Sequence, residues 1–285
     1  MTSHTAVPFR HGLLSISAAA VAWGVGGAVA ALLMRTSGLG PVAVSCWRFG
    51  VAALCLALLP SAAARSGKPG STVLTGLGLA VSQCAYFGSV HYAGLGLGTL
   101  ITIGAGPVLT SLGAHLLLGE HLTRRSAAAV LLALGGLALL VAAPAAGPRP
   151  ALGVALAVLA GAGQSGLTLW ARGGGSARAS TGAFTTGLLC LLPFAAVQGV
   201  LPAAGQPALT GATLLFLGTV PTLLAYRWYF SGLTAVPGTT ASVLVLLEPA
   251  TAAVIGVLFL GEPFAVGLAA GSALLLAAIA ALTRA

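Results

Sequence analysis

Charge is what this sequence has least of: 5% of its 285 residues are Asp, Glu, Lys or Arg, and the acids number three, Glu120, Glu248 and Glu262. A soluble domain needs about a quarter of its residues charged to keep its surface wet, whereas here apolar residues reach 58%. The chain is therefore expected in lipid. Cysteine is scarce as well. Cys46, Cys55, Cys84 and Cys190 lie inside apolar runs without CxxC spacing, which argues against a disulfide framework or a metal site and leaves them as small packing residues. There is no Walker loop, Cys/His cluster or haem-attachment sequence, so nothing indicates a primary pump, a redox enzyme or a cofactor. The formal charge of +9 would suggest nucleic acid in a polar protein, but the cations stand mostly singly or in pairs at the ends of apolar runs, as topology markers do.

What is present is a series of apolar segments. A helix needs about 20 apolar residues to cross a bilayer, because each backbone N–H must be satisfied within the segment. Ten segments qualify, roughly 12–34, 40–60, 73–93, 97–119, 124–143, 151–171, 179–200, 210–231, 238–261 and 264–283. The first has a signal-peptide look, with Arg10 ahead of it and Ala28-x-Ala30 within it, but many such segments follow, so it is read as a span. A cytoplasmic N-terminus places Arg10, Arg65, Lys68, Arg124, Arg125, Arg172, Arg178 and Arg284 inside, against Arg35 and Arg149 outside; the excess of positive charge on the inner loops favours that orientation, with both termini cytoplasmic. Arg48 and Arg227 are left within spans.

The sequence also repeats itself at a displacement of 142 positions. Ser89–Glu120 laid on Ser231–Glu262 aligns Ala93 with Ala235, Gly96 with Gly238, Pro107 with Pro249, and Leu118-Gly119-Glu120 with Leu260-Gly261-Glu262. Halves of 1–143 and 144–285, each of five spans, enter the bilayer from opposite faces because five is odd. The expected fold is all-α: ten transmembrane helices in two inverted five-helix repeats, an arrangement that belongs mostly to transporters.

These residues carry a resemblance. Leu246-Leu247-Glu248-Pro249 followed by Leu260-Gly261-Glu262, the first-half Pro107 with Leu118-Gly119-Glu120, Ala22-Trp23-Gly24 and Trp47-Arg48-Phe49 resemble the drug/metabolite transporter superfamily, specifically the ten-helix EamA-type transporters. The resemblance spans essentially the whole chain. It implies an inner-membrane carrier, often an exporter of amino acids or related metabolites, with a central cavity between the halves. It leaves the substrate open, and Gly106 stands where the second half has Glu248, so any acid–base role falls to one half.

Several side chains need an explanation in lipid. Glu248 lies ten residues into its span, about 15 Å at 1.5 Å per residue, where a carboxylate costs several kcal/mol unless paired, protonated or facing water. It is either a ligand for a substrate amine or a proton site, or else a cap for backbone groups freed by Pro249. Arg227 either snorkels, pairs with Glu248, or receives a substrate carboxylate. Arg48 carries the same ambiguity and is placed with Pro107 and Pro249 as a structural or gating element. Tyr86 and Tyr226, Gln83 and Gln164, and Trp23, too deep for an interfacial belt, are further candidates for a cavity wall, each against plain packing. A serine protease is tested on Gly163-Gln164-Ser165-Gly166 and set aside, since all five histidines precede Ser165 and the paired arrangement wants one in a later helix. The expected protein is not an enzyme: it is a secondary carrier, monomeric or weakly self-associating, with a small solute as its partner and protons as the candidate coupling ion. An importer and a non-transporting scaffold or receptor are the alternatives.

Overall fold

The computed structural model describes residues 8–58, 69–93, 95–140, 148–173, 179–203, 206–259 and 266–283. Glu262, Arg65, Lys68, Arg178, Arg284 and Gly94 lie outside them. The described residues are helical throughout, with no strand: α1 Phe9–Ser37, α2 Pro41–Leu58, α3 Pro69–Ala93, α4 Leu95–Leu118, α5 Arg124–Leu140, α6 Pro150–Arg172, α7 Thr181–Gln198, α8 Pro207–Gly232, α9 Gly238–Phe259 and α10 Val266–Thr283. Starts and stops follow local chemistry. Proline opens α6 and α8, where its missing N–H costs nothing. Ser180 caps α7 by accepting from the Ala183 N–H, and α1 ends at Gly38 in the left-handed region.

Eight helices, α1 to α4 and α6 to α9, are long and apolar enough to cross a membrane, so the chain is a multi-pass membrane protein. The other two expected spans are described over Arg124–Leu140 and Val266–Thr283, each bordered by residues outside the description. The outer surface is aliphatic: Leu58, Leu116, Leu117, Leu131, Val197 and Phe259 are largely exposed, as lipid-facing side chains are and water-facing ones rarely are.

Two helices depart from regular winding. In α8, Thr219–Leu224 forms a π-helical turn, a feature that tends to mark functional sites. Helix α9 is interrupted at Leu246, between Gly238–Val245 and Leu247–Phe259. Pro249 explains the second break, since it has no N–H to give the Val245 carbonyl.

Packing is dominated by α3 on α6, α5 on α10, α4 on α6, α2 on α7, and α1 on α8 and α9. Exchanging each helix for the one five places along leaves this scheme unchanged: α3–α6 becomes α8–α1, α4–α6 becomes α9–α1, and α2–α7 and α5–α10 map onto themselves. Individual contacts recur in the same way. Gly12 of α1 lies against Ala235, and Gly153 of α6 lies against Ala93; Gly24 of α1 meets the Glu248 carbonyl, and Ser165 of α6 donates to the Gly106 carbonyl. The main core runs through Ile16, Trp23, Phe49, Phe184, Tyr226 and Tyr229, while a second cluster of Ala129, Ala133, Leu137, Leu275 and Ala278 ties α5 to α10 and reaches α9 through Val243 and Leu246.

The contact at Gly24 is tight enough to test. A Cβ there would meet the Glu248 carbonyl and the Thr251 side chain, and backbone cannot yield as a flexible side chain does. Gly24→Ala is expected to lower stability in detergent by about 1–3 kcal/mol, the usual cost of overpacking. A thermal melt unchanged from wild type would show that α1 and α9 are not in this close contact.

Candidate functional site

A cavity of about 450 Å³ lies at the centre of the bundle, within the roughly 300–1,000 Å³ typical of small-molecule sites. Its walls are stripes of side chains at helical spacing. Helix α3 presents Gln83, Tyr86, Phe87 and Val90, α4 presents Thr102, Ile103, Gly106, Pro107 and Thr110, and α6 presents Ala160, Gln164, Ser165 and Thr168. The opposite wall is Trp23, Gly27, Ala30 and Met34 of α1, Arg48 with Ser45 of α2, Tyr226 and Tyr229 of α8, and Val245, Leu246 and Glu248 at the break in α9. Arg48 and Glu248 are the charged residues on this wall.

The π turn sets the position of Arg48. Pro221, inside that turn, has no N–H for the Leu217 carbonyl, which instead accepts from the Thr222 hydroxyl at 2.8 Å. With its proton so committed, the Thr222 oxygen is left to accept, and the Arg48 Nε–H donates to it at 3.0 Å. One edge of the guanidinium is thus held by the protein, and Arg48 remains on the cavity wall without a direct ion pair to Glu248.

Glu248 is half-buried in the first turn of the second segment of α9. Exposed amide groups at a helix start favour a carboxylate there, so the break that exposes those amides also makes the position tolerable for an acid in mid-membrane. Beside it, aromatic rings form a continuous block. Trp23 packs on Tyr226 and Tyr229 with ring centres 5.1 and 5.3 Å apart, and Tyr226 stacks on Phe230. Among the described residues the buried Trp23 indole N–H and Thr102 hydroxyl have no hydrogen-bond partner, against the usual satisfaction of buried polar groups; both residues border the cavity, but these two atoms are covered.

At one end of the cavity the helices are tied together by polar contacts. Thr168 donates to the Gln164 carbonyl at 2.9 Å and accepts from the Tyr229 hydroxyl at 2.6 Å. One turn further along α6, Arg172 donates from Nε and Nη2 to Glu120 Oε1, at 3.1 and 2.7 Å, and from Nη1 to the Leu233 carbonyl at 3.0 Å. The other Glu120 oxygen accepts the Gly238 N–H at 3.0 Å. Gly119 makes this possible: with φ 66° it lets α4 end in a turn whose Glu120 N–H returns to the Ala114 carbonyl. A single carboxylate thereby joins α4, α6 and the start of α9. At the opposite end the wall reaches Met34, Pro41 and Val90, at the far ends of α1, α2 and α3, where Pro41 is exposed.

Of the residues singled out from sequence, Trp23, Gln83, Tyr86, Gln164, Tyr226 and Glu248 all lie on this cavity, as do Pro107 and Arg48. Arg227 does not. It is exposed on the outward face of α8 beside Leu224 and Trp228, because residues 226 and 229 face inward and a helix turns about 100° per residue. Of the three alternatives for Arg227, that position fits snorkelling and neither a pair with Glu248 nor a substrate-binding role, and the cation that shares the wall with Glu248 is Arg48. Pro249 shapes the site by breaking α9 and is not on the wall. Thr168, Tyr229 and Thr102 were not singled out for the cavity, and Ser165 was considered only as a protease nucleophile. Ser165 and Thr168 fall at one and four positions after Gln164, and Tyr229 three after Tyr226, so stripe spacing was the available signal.

Residues 10–142 and 151–284 each match the EamA-like transporter family. An uncharacterised protein of Pseudomonas aeruginosa is 35% identical over 272 residues, covering 91% of this chain and 90% of its own. The uncharacterised transporter YwfM of Bacillus subtilis is 29% identical over 260 residues, covering 87% and 86%. A protein of known crystal structure superposes with a TM-score of 0.78 at 20% identity over 97% of each chain, a likeness of fold alone.

Proposed function

The chain belongs to the EamA-like transporter family, and on that premise we propose that it is a secondary carrier that moves a small organic solute, an amino acid or a related metabolite, across the cytoplasmic membrane by alternating access. The observation that carries this reading is the central cavity, with Arg48 and Glu248 on its wall and the Glu120–Arg172 bridge tying the helix ends beyond Thr168. A scaffold would gain nothing from polar groups held in lipid around an empty volume.

The transport cycle follows from two repeats, residues 1–143 and 144–285, inverted with respect to each other across ten spans. The exchange symmetry of the helix contacts supports that reading, with α5 and α10 as its paired fifth helices. With both termini in the cytoplasm, the Glu120 face is cytoplasmic, and the conformation described is closed to the cytoplasm and open outward. Rocking one repeat against the other would break the Glu120 bridge and open the inner face. Export is the proposed direction, and Glu248 is the group placed to meet a substrate amine or a coupling proton.

Reconstitution tests this. Purified protein in vesicles is expected to exchange at least one radiolabelled amino acid or related metabolite faster than protein-free vesicles, with counterflow when unlabelled solute is trapped inside. Vesicles as tight as the protein-free control across a broad panel of metabolites would count against a carrier.

A further inference from the structure

We infer that Arg48, held by Thr222 on the π turn, is the receptor for a carboxylate on the transported solute; this rests on the carrier reading and names the group that reading leaves unassigned. The guanidinium is planar, and its donors are shared between two edges. Its Nε–H is committed to Thr222, so the terminal nitrogens remain for a ligand, in a side chain that is half-buried on the cavity wall. That fork matches the two oxygens of a carboxylate. Thr222 is a positioning residue, and it can accept from Arg48 because its own proton goes to the Leu217 carbonyl that Pro221 leaves without an N–H.

Charge balance narrows the occupant. Arg48 and Glu248 are the charged side chains on the wall and cancel each other, yet no ion pair joins them. A dianion such as a phosphate ester would face Glu248 with one cation to balance it. A carboxylate with an ammonium group leaves no unpaired charge in a low-dielectric site: the carboxylate at Arg48, the ammonium towards Glu248.

The test uses matched pairs on the purified full-length protein: L-phenylalanine with L-phenylalaninamide, and L-leucine with L-leucinamide, read by thermal stabilisation and by competition in vesicles. In the wild type the acids are expected to bind at least about 10-fold more tightly than the amides, the scale of one charge-assisted hydrogen-bond pair. In Arg48→Gln the acid should fall to the level of its amide. Thr222→Val should weaken acid binding and raise KM with little change in maximal rate, and Thr222→Ser, which keeps the hydroxyl, should restore both; these variants keep the proposal testable should Arg48→Gln not fold. Equal binding of acid and amide by the wild type, an acid preference that survives in Arg48→Gln, or a wild type that none of the acids stabilises would each overturn the assignment. Transport of a solute without a carboxylate would do so while leaving the carrier reading intact.

Discussion

Glu248→Gln is expected to reduce transport by about 100-fold while leaving folded, membrane-inserted protein. The amide keeps the shape and hydrogen-bonding capacity of the carboxylate and loses its charge. Pairing a charged group through hydrogen bonds contributes about 1.5–3 kcal/mol, and each 1.4 kcal/mol is a factor of ten. The structure gives the structural alternative real weight, because Glu248 sits in the first turn of Leu247–Phe259 and its backbone carbonyl is packed against Gly24. The two roles separate on different measurements. A carboxylate that only steadies the helix start should tolerate Gln in transport, with Glu248→Ala mainly lowering the melting temperature. A carboxylate that meets the solute or a proton should lose transport in Gln with the melt nearly unchanged. If protons are coupled, the Gln variant should also stop responding to an imposed pH gradient. Wild-type flux in Glu248→Gln would remove Glu248 from the mechanism.

The second large effect is expected at the bridge beside the cavity. Glu120 binds Arg172 and the Gly238 N–H at once, and its side chain and that of Arg172 are 19% and 22% exposed, so solvent screens the pair in part. Breaking it is expected to shift the conformational equilibrium by about 2 kcal/mol, or ~30-fold, towards the state open on the Glu120 face. A cysteine reporter at Thr110, on the cavity wall of α4, in a background lacking the four native cysteines, should label faster from that face in Glu120→Gln or Arg172→Gln. Membrane-impermeant thiol reagents added to right-side-out and inverted vesicles distinguish the faces. The exchange of charges, Glu120→Arg with Arg172→Glu, should recover part of the closed state. Unchanged labelling in both single variants would mean that the bridge is not what holds this end shut.

Much of this was legible in the sequence because lipid imposes simple requirements. A chain with 5% charged residues cannot keep a surface in water, apolar runs of span length must be helices, and a Pro–Gly-Glu pattern repeated at half the chain length marked two related halves before any contact was known. The same logic found the wall of the cavity. Gln83, Tyr86, Gln164 and Glu248 needed partners or water in mid-membrane, and the bundle brings them to one cavity.

The tertiary structure decided what depends on helix phase. Sequence placed Arg227 among the substrate-binding candidates and Arg48 among the structural or gating ones, and it is Arg48 that faces the cavity while Arg227 faces outward. On a helix a single residue changes direction by about 100°, and a π turn shifts the phase of everything after it; the turn at Thr219–Leu224 precedes Tyr226, Arg227 and Tyr229 in α8. No periodicity in the sequence announces that extra residue. The bridge from Glu120 was likewise invisible, since its partners Arg172, Leu233 and Gly238 come from helix ends far apart in the chain and meet only when α4, α6, α8 and α9 pack. Composition and spacing determined the solvent and the helices, and the resemblance of a few motifs pointed to the family; the rotation of each helix and the meeting of distant ends, which arise from packing, determined which charges face the cavity and which one ties the helix ends beside it.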